Sequence, residues 1–261
     1  MKRLISLKPT EKKKTERQIC HRLDRATSGV LIFAKNYETD IEFKKNLIDC
    51  DWKKEYICRV IGEFPDGEIS CNQPIGNLSP SMGIQCIRED GKDAQSIFKR
   101  LWTNGKESVV VCKIATGRTH QIRVHLQYLG HPIISDQIYN SEVWGKTKGK
   151  NADYGKPLEQ LREDVQNSHK SSLWREYTSP DYVEKMLKWS QDDTIVPESP
   201  DLLVNDRPNF DPICLGCNVT YKQPSMDHFR MHLHCWKYET ARGLFEASIP
   251  EWAKEETKEE I

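Results

Sequence analysis

An Asn104-Gly105 pair separates two runs, Ala94–Trp102 and Ser108–Ile114, that are rich in β-branched and aromatic residues. Asn-Gly tolerates the positive φ angles of a tight reversal, so the two runs are predicted to pair as an antiparallel hairpin. That commits the middle of the chain to a sheet. Glu55–Phe64 (EYICRVIGEF) reads as a further strand closed by the turn Pro65-Asp66-Gly67, and Val30–Lys35 (VLIFAK) as a short apolar strand. Helical spacing follows at Ile41, Phe43, Leu47 and Ile48. A second helix is predicted over Thr119–Leu129, where Ile122, Leu126 and Leu129 share one face, Thr119 is the N-cap, and Gly130 with Pro132 forms the stop.

The ends and the late middle differ. Residues 1–19 have no periodicity and read as a loose arm. Residues 1–25 hold nine Lys and Arg against three acidic residues, a local charge of +6 in a chain whose net charge is zero. Such a front end suits phosphate contact, and for Lys12–Lys14 a solvated basic tail is the equal alternative. From 141 to 206 apolar residues thin out and Lys, Asp, Glu, Ser and Pro dominate, with one helix expected around Tyr182–Trp189. The chain is therefore divided into a core over 1–140, an insertion or linker over 141–206, a returning core segment over 207–250 and an acidic tail over 251–261. Apolar pattern resumes at Phe229–Tyr238 and Gly243–Ile249, ending at Pro250.

No apolar run approaches the roughly 18–20 residues that span a bilayer, and the basic, polar start lacks a signal-peptide core. Nine cysteines, an odd count among charged segments, argue for reduced thiols rather than a disulfide framework. A soluble intracellular protein is expected, with cytoplasm or nucleus ahead of mitochondrion because Glu11 and Glu16 fit a transit peptide poorly.

Two constellations carry chemistry. In His21-Arg22-Leu23-Asp24-Arg25-Ala26-Thr27-Ser28-Gly29 one carboxylate lies between two arginines just before a strand. Positive neighbours favour the ionised form, which is the form a nucleophile needs. An Arg–Asp surface pair at a loop mouth is the plain alternative. In Gly117-Arg118-Thr119-His120-Gln121-Ile122-Arg123-Val124-His125-Leu126, four polar side chains crowd a helix N-terminus, an anion-binding arrangement. An amphipathic helix with a polar first turn is the plain alternative here. His120 and His125 are five apart, a poor spacing for two ligands on one helical face.

HRLDRATSGVLIFAK closely resembles the catalytic motif of RluA-type pseudouridine synthases, and GRTHQIRVHLQYLGHPIISDQIY resembles their later helix motif. KKEYICRVIGEF, GKDAQSIFKRLW and MHLHCWKYE with FEASIP fit the same family in order, so the resemblance covers Ile19–Asn140 and Phe229–Pro250. It implies an α+β pseudouridine synthase fold: a mixed, largely antiparallel sheet with helices packed on it and a central active-site cleft. It also implies isomerisation of uridine in RNA. Asp24 would be the catalytic carboxylate, Arg123 the arginine that orients it, and Tyr56 the tyrosine that stacks on the uracil and helps remove the C5 proton. Arg22 would fill the gap left by the extruded nucleotide, and Ile122 would pack under the base. Arg25, Arg118, His120 and Gln121 complete the expected RNA-binding set.

The implied reaction changes no oxidation state and imports no bond energy, so no cofactor or metal is expected, and the partner is RNA (tRNA, rRNA or mRNA) with no membrane and no obligatory protein partner. Members of the family usually carry a further strand element, and often an S4-type RNA-binding domain, before the first motif. Only twenty residues precede His21, which reads as an N-terminal truncation and leaves an inactive RNA-binding fragment as the alternative function. Cys214-Leu215-Gly216-Cys217, with His232, His234 and Cys235 downstream, has the makings of a zinc site, but two reduced loop cysteines are the preferred reading.

Overall fold

A computed structural model describes residues 18–48, 53–171, 175–178, 219–221, 230–240 and 242–255. The basic arm before Gln18, Cys214, Cys217 and the expected helix at Tyr182–Trp189 lie outside the described residues. The chain divides into two compact units: Met1–Ser168 with Phe229–Ile261, and His169–His228.

The first unit is built on a mixed sheet. Its long strands are β4 (Lys53–Ile61), β8 (Ser96–Thr103), β9 (Glu107–Ile114) and β12 (Leu233–Thr240). With β5 (Glu68–Cys71) and β13 (Gly243–Glu246) they run in the order β13-β12-β4-β9-β8-β5, all neighbours antiparallel. The β8–β9 hairpin turns at Asn104-Gly105 as expected. Gly105 has φ 85°, and the Asn104 Oδ1 accepts the backbone N–H groups of Lys106 and Glu107. A short β2 (Ser28–Gly29) adds in parallel to β12 and makes the sheet mixed.

The expected strand VLIFAK is thus divided. Its front follows directly on β2 and touches β12 only through the Val30 N–H on the Cys235 carbonyl, and its end, β3 (Phe33–Ala34), pairs instead with β1 (Gln18–Ile19). Alternation survives the break, with Val30, Ile32 and Ala34 all buried. Helix α1 (Tyr37–Ile48) follows where the spacing placed it.

Strand alternation sorts the apolar residues of β4 and β9 onto two faces. Tyr56, Cys58, Val60, Val110, Cys112 and Ile114 enter the main core, where Ile122 and Leu126 of α2 (Gln121–Tyr128) join them. Ile57, Val109 and Val111 face the other way, beside Trp102, Trp236 and Trp252.

A second core lies under the hairpin β6 (Ile75–Ser79) and β7 (Ile84–Ile87). It takes in Val124 of α2 and Leu161 and Val165 of α3 (Leu158–Ser171). Residues 141–168, assigned from sequence to the front of the insertion, pack into this core through Trp144, Tyr154, Leu161 and Val165. In the second unit, β10 (Arg175–Thr178) and β11 (Val219–Tyr221) form an antiparallel pair. The six described cysteines are all free and buried.

Candidate active site

The loop carrying Asp24 is tied down at both ends. At its start the His21 Nε2 accepts the Ile32 N–H at 3.1 Å, and the His21 ring stacks on Tyr238 at 4.6 Å. At its end the Val30 N–H reaches the Cys235 carbonyl at 2.9 Å. That approach requires glycine at position 29: φ is 110°, and a Cβ there would stand 2.1 Å from the Cys235 oxygen. Between the anchors the Thr27 N–H closes a turn onto the Asp24 carbonyl at 2.9 Å. The loop is a rigid bracket for one carboxylate.

Burial and the nearby Lys54 ammonium hold the His21 imidazole down, at about 4, so it is neutral at physiological pH. The unfolded chain, with an ordinary histidine near 6.5, then binds one more proton than the folded chain between about pH 4 and 6.5. The stability contributed by His21 is complete above that window and is lost as pH falls through it, at about 1.4 kcal/mol per pH unit. Urea titrations of wild type and of His21→Gln, which keeps an acceptor for Ile32, should differ by that one-proton slope, on top of what the other depressed histidines such as His120 contribute to both. An unchanged slope would mean that His21 charges freely in the fold.

Helix α2 faces this bracket and has a core on each side, so Gln121 through Gln127 are all buried. The plain amphipathic reading does not hold. Each buried polar side chain has partners. The Gln121 Oε1 accepts from the Arg118 N–H and the Thr116 hydroxyl, and its Nε2 donates to the Gln95 carbonyl and Ser96 Oγ. His125 bonds Ser96 and the Gln73 carbonyl, and Gln127 donates to the Tyr139 carbonyl. At the cap position stands His120 rather than Thr119, in a left-handed conformation (φ 57°) and without a side-chain cap bond. The stop is as expected: the Gly130 and His131 N–H groups return to the carbonyls of Gln127 and Leu126.

Arg123 holds the centre. Its Nη1 donates to the Asp24 Oδ2 at 3.0 Å. Its Nε and Nη2 donate to Asp136 at 2.6 and 2.9 Å, a bidentate fork. The guanidinium also lies over the Tyr139 ring at 4.8 Å. Burial works against its charge, but the Asp136 carboxylate more than offsets this and holds the guanidinium still more firmly protonated than usual. Asp24 remains partly open, 31% exposed against 5% for Arg123 and 0% for Asp136. The site therefore presents one reachable carboxylate backed by a buried, fully paired cation.

Asp136 and Tyr139 lie in the second motif but were not singled out as site residues from sequence. One signal was there: a single acid inside the largely apolar stretch Pro132–Tyr139, which needs a paired cation if it is buried.

The structure brings Asp24, Arg123 and His120 together, with the His120 Nε2 3.8 Å from Asp24. Tyr56 sits on β4 between Cys112 of β9 and Cys235 of β12, in the same core as Ile122. Burial, with the Cys235 thiol and Tyr238 beside it, pushes its phenol well above the ordinary value. Tyr56 is thus a neutral hydroxyl rather than a standing base. Arg22, Arg25 and Arg118 are exposed, and the Arg118 Nε donates to the Asp93 carbonyl at 2.8 Å. Gln121 faces inward with all four of its bonds made inside the fold, and Arg123 is turned to two carboxylates. The crowded first turn is consequently not an open anion cradle.

Of the residues considered for zinc, His232 bonds Ser135, His234 bonds Ser28, and Cys235 packs against Tyr56. Among the described residues, no group of three or more His, Cys, Asp or Glu is placed to hold a metal. Nor, among them, is any helix long and apolar enough to cross a membrane.

Residues 1–128 match the model of a family described as RNA pseudouridylate synthase. An uncharacterized protein of Caenorhabditis elegans is 57% identical over 241 residues, covering 92% of this chain and 56% of that protein. Mouse pseudouridylate synthase RPUSD2 is 37% identical over 272 residues, covering 92% of this chain and 49% of that protein. The chain thus spans about half the length of these curated relatives. Among solved structures, human RNA Pseudouridylate Synthase Domain Containing 4 superposes with a TM-score of 0.52 at 16% identity, covering 92% of this chain and 75% of that one, a likeness of fold. With two ordered motifs, a mixed sheet that sets Asp24 against Arg123, and relatives that share most of its length, the chain belongs to the RNA pseudouridylate synthase family.

Proposed function

We propose that this chain isomerises uridine to pseudouridine in RNA, with Asp24 as the carboxylate that acts on a nucleotide flipped out of its stack. One observation carries the reading: a partly open Asp24, braced at 3.0 Å by a buried arginine on a rigid loop that leads into the sheet. The names of the family and of the mouse relative support the same reaction class.

The C1′–N1 bond of a stacked nucleotide is shielded, so the target must first leave the helix. Exposed Arg22 and Arg25, which flank Asp24 in the chain, and exposed Arg118 suit phosphate contact, and Tyr56 and Ile122, which share the main core, are the residues assigned to the base. The Asp24 carboxylate then assists departure of N1, either by attacking C1′ or by taking a proton from the sugar. The detached uracil turns within the site, C5 bonds to C1′, and the C5 hydrogen leaves as a proton. Product and substrate have the same composition, so no co-reactant is consumed.

The test is RNA made with uridine tritiated at C5. Tritium should pass to water as pseudouridine accumulates in pooled tRNA, rRNA or mRNA. Retained RNA binding with no release from any of these pools would leave a catalytically silent RNA-binding protein.

A further inference from the structure

The hydrogen bonds behind Asp24 determine where a histidine proton sits. The backbone N–H of Gln85 donates to the Tyr139 hydroxyl oxygen at 3.0 Å, and the same hydroxyl lies 2.9 Å from the His120 Nδ1. Tyr139 is fully buried, and among the described residues its hydroxyl has no other partner. A phenol has one hydrogen to give. If His120 carried its proton on Nδ1, the hydroxyl would receive two donors and its own O–H would have no acceptor in a dry site, a costly arrangement. The consistent chain runs from the Gln85 N–H to the Tyr139 oxygen, and from the Tyr139 O–H to the His120 Nδ1. The imidazole proton is then on Nε2, the nitrogen 3.8 Å from the Asp24 Oδ2.

That oxygen is also the one Arg123 holds at 3.0 Å. Among the described residues, Oδ1 has no hydrogen-bond donor. We propose that His120 is a neutral Nε2–H donor that joins Arg123 on one oxygen of Asp24, so that Oδ1 is the oxygen left to react. The role makes His120 a positioning residue, and it rests on Asp24 being the catalytic carboxylate. At 3.8 Å the contact is longer than a hydrogen bond, and catalytic contacts commonly tighten when substrate arrives. Burial and the adjacent Arg123 keep the ring uncharged, its value held down to about 4, so it donates without competing as a second cation.

Two measurements on the full chain decide the matter. Long-range proton–nitrogen correlation with labelled histidine at pH 7 should show the His120 proton on Nε2, and Tyr139→Phe should yield a tautomer mixture. A wild-type proton on Nδ1 overturns the proposal whether or not the chain has activity. For the kinetic role, His120→Asn tolerates the left-handed backbone and can still meet Tyr139, but it lacks the ε nitrogen. It should slow single-turnover pseudouridine formation by roughly 10- to 100-fold, the equivalent of one hydrogen bond to a charged group, with half-saturating RNA unchanged. His120→Gln, whose amide reaches the ε position, should restore most of that rate despite its poorer fit to the backbone. Weakened RNA binding in both variants, with the single-turnover rate intact, would make His120 an RNA contact and overturn its role on Asp24. A wild-type chain that forms no pseudouridine would count against the proposed function, while the nitrogen spectra still decide the donor.

Discussion

Asp24→Asn is expected to lower single-turnover pseudouridine formation by on the order of 10⁴-fold or more, the scale on which removal of a reacting group acts. The amide is nearly isosteric with the carboxylate and can still accept the Arg123 Nη1–H through its oxygen, so the loop keeps its brace. Arg123 retains its bidentate bond to Asp136, and Asp24, 31% exposed, lies at the margin of the packed core. Stability should therefore change by no more than about 1 kcal/mol. RNA affinity, followed by anisotropy of a labelled transcript, should stay within a few-fold of wild type. Asp24→Glu sharpens the test. It keeps the charge but moves the carboxylate by one methylene, and a misplacement of about 1 Å is enough to cost on the order of 10²-fold. Tritium release from Asp24→Asn within tenfold of wild type would remove this residue from the chemistry and take the proposed mechanism with it.

What the sequence could show of this site was local. The Asn104-Gly105 reversal, helix α1 and the Gly130 stop are short-range features, and they stand where periodicity and turn chemistry placed them. The division of VLIFAK was out of reach for the opposite reason. Gly29, just before the run, meets Cys235, a partner more than two hundred residues later, and nothing in the six residues themselves signals that contact. Helix α2 shows the same limit. Its apolar spacing correctly put Ile122 and Leu126 inward, but the second core that closes over Val124 comes from β6, β7 and α3. Gln121 is likewise fixed from outside the helix, by Gln95, Ser96 and Thr116 at the ends of β8 and β9, which makes it an internal brace rather than a hand held out to RNA. Asp24 and Arg123 were legible as motif residues with a role; Asp136, which holds Arg123 in place, lay in the second motif without one.

That hidden residue should carry the largest effect on stability. Asp136 is fully buried, and its Oδ1 accepts the N–H groups of Ile138 and Tyr139, each at 3.0 Å, besides receiving the Arg123 fork. In Asp136→Asn the amide oxygen can keep the two backbone bonds, but an NH2 group then faces the Arg123 Nε–H, and a buried cation loses the buried one of its two counter-charges. Breaking one side of such a pair costs about 3–5 kcal/mol, which in a chain of this size lowers Tm by roughly 10 °C. The guanidinium donors released from Asp136 would turn toward Asp24 and engage both of its oxygens, so turnover should fall as well. Arg123→Lys should fare no better, because one ammonium cannot present the fork that joins two carboxylates. The decisive comparison combines Asp136→Asn with Arg123→Gln. Two neutral amides leave no stranded charge, so the pair should recover at least half of the stability lost in Asp136→Asn, a coupling visible in a double-mutant cycle. Activity should not return, because no guanidinium reaches Asp24. A double variant that regained turnover would show that Asp24 works without Arg123; Asp136→Asn melting with wild type would show that the buried fork contributes little to holding the fold.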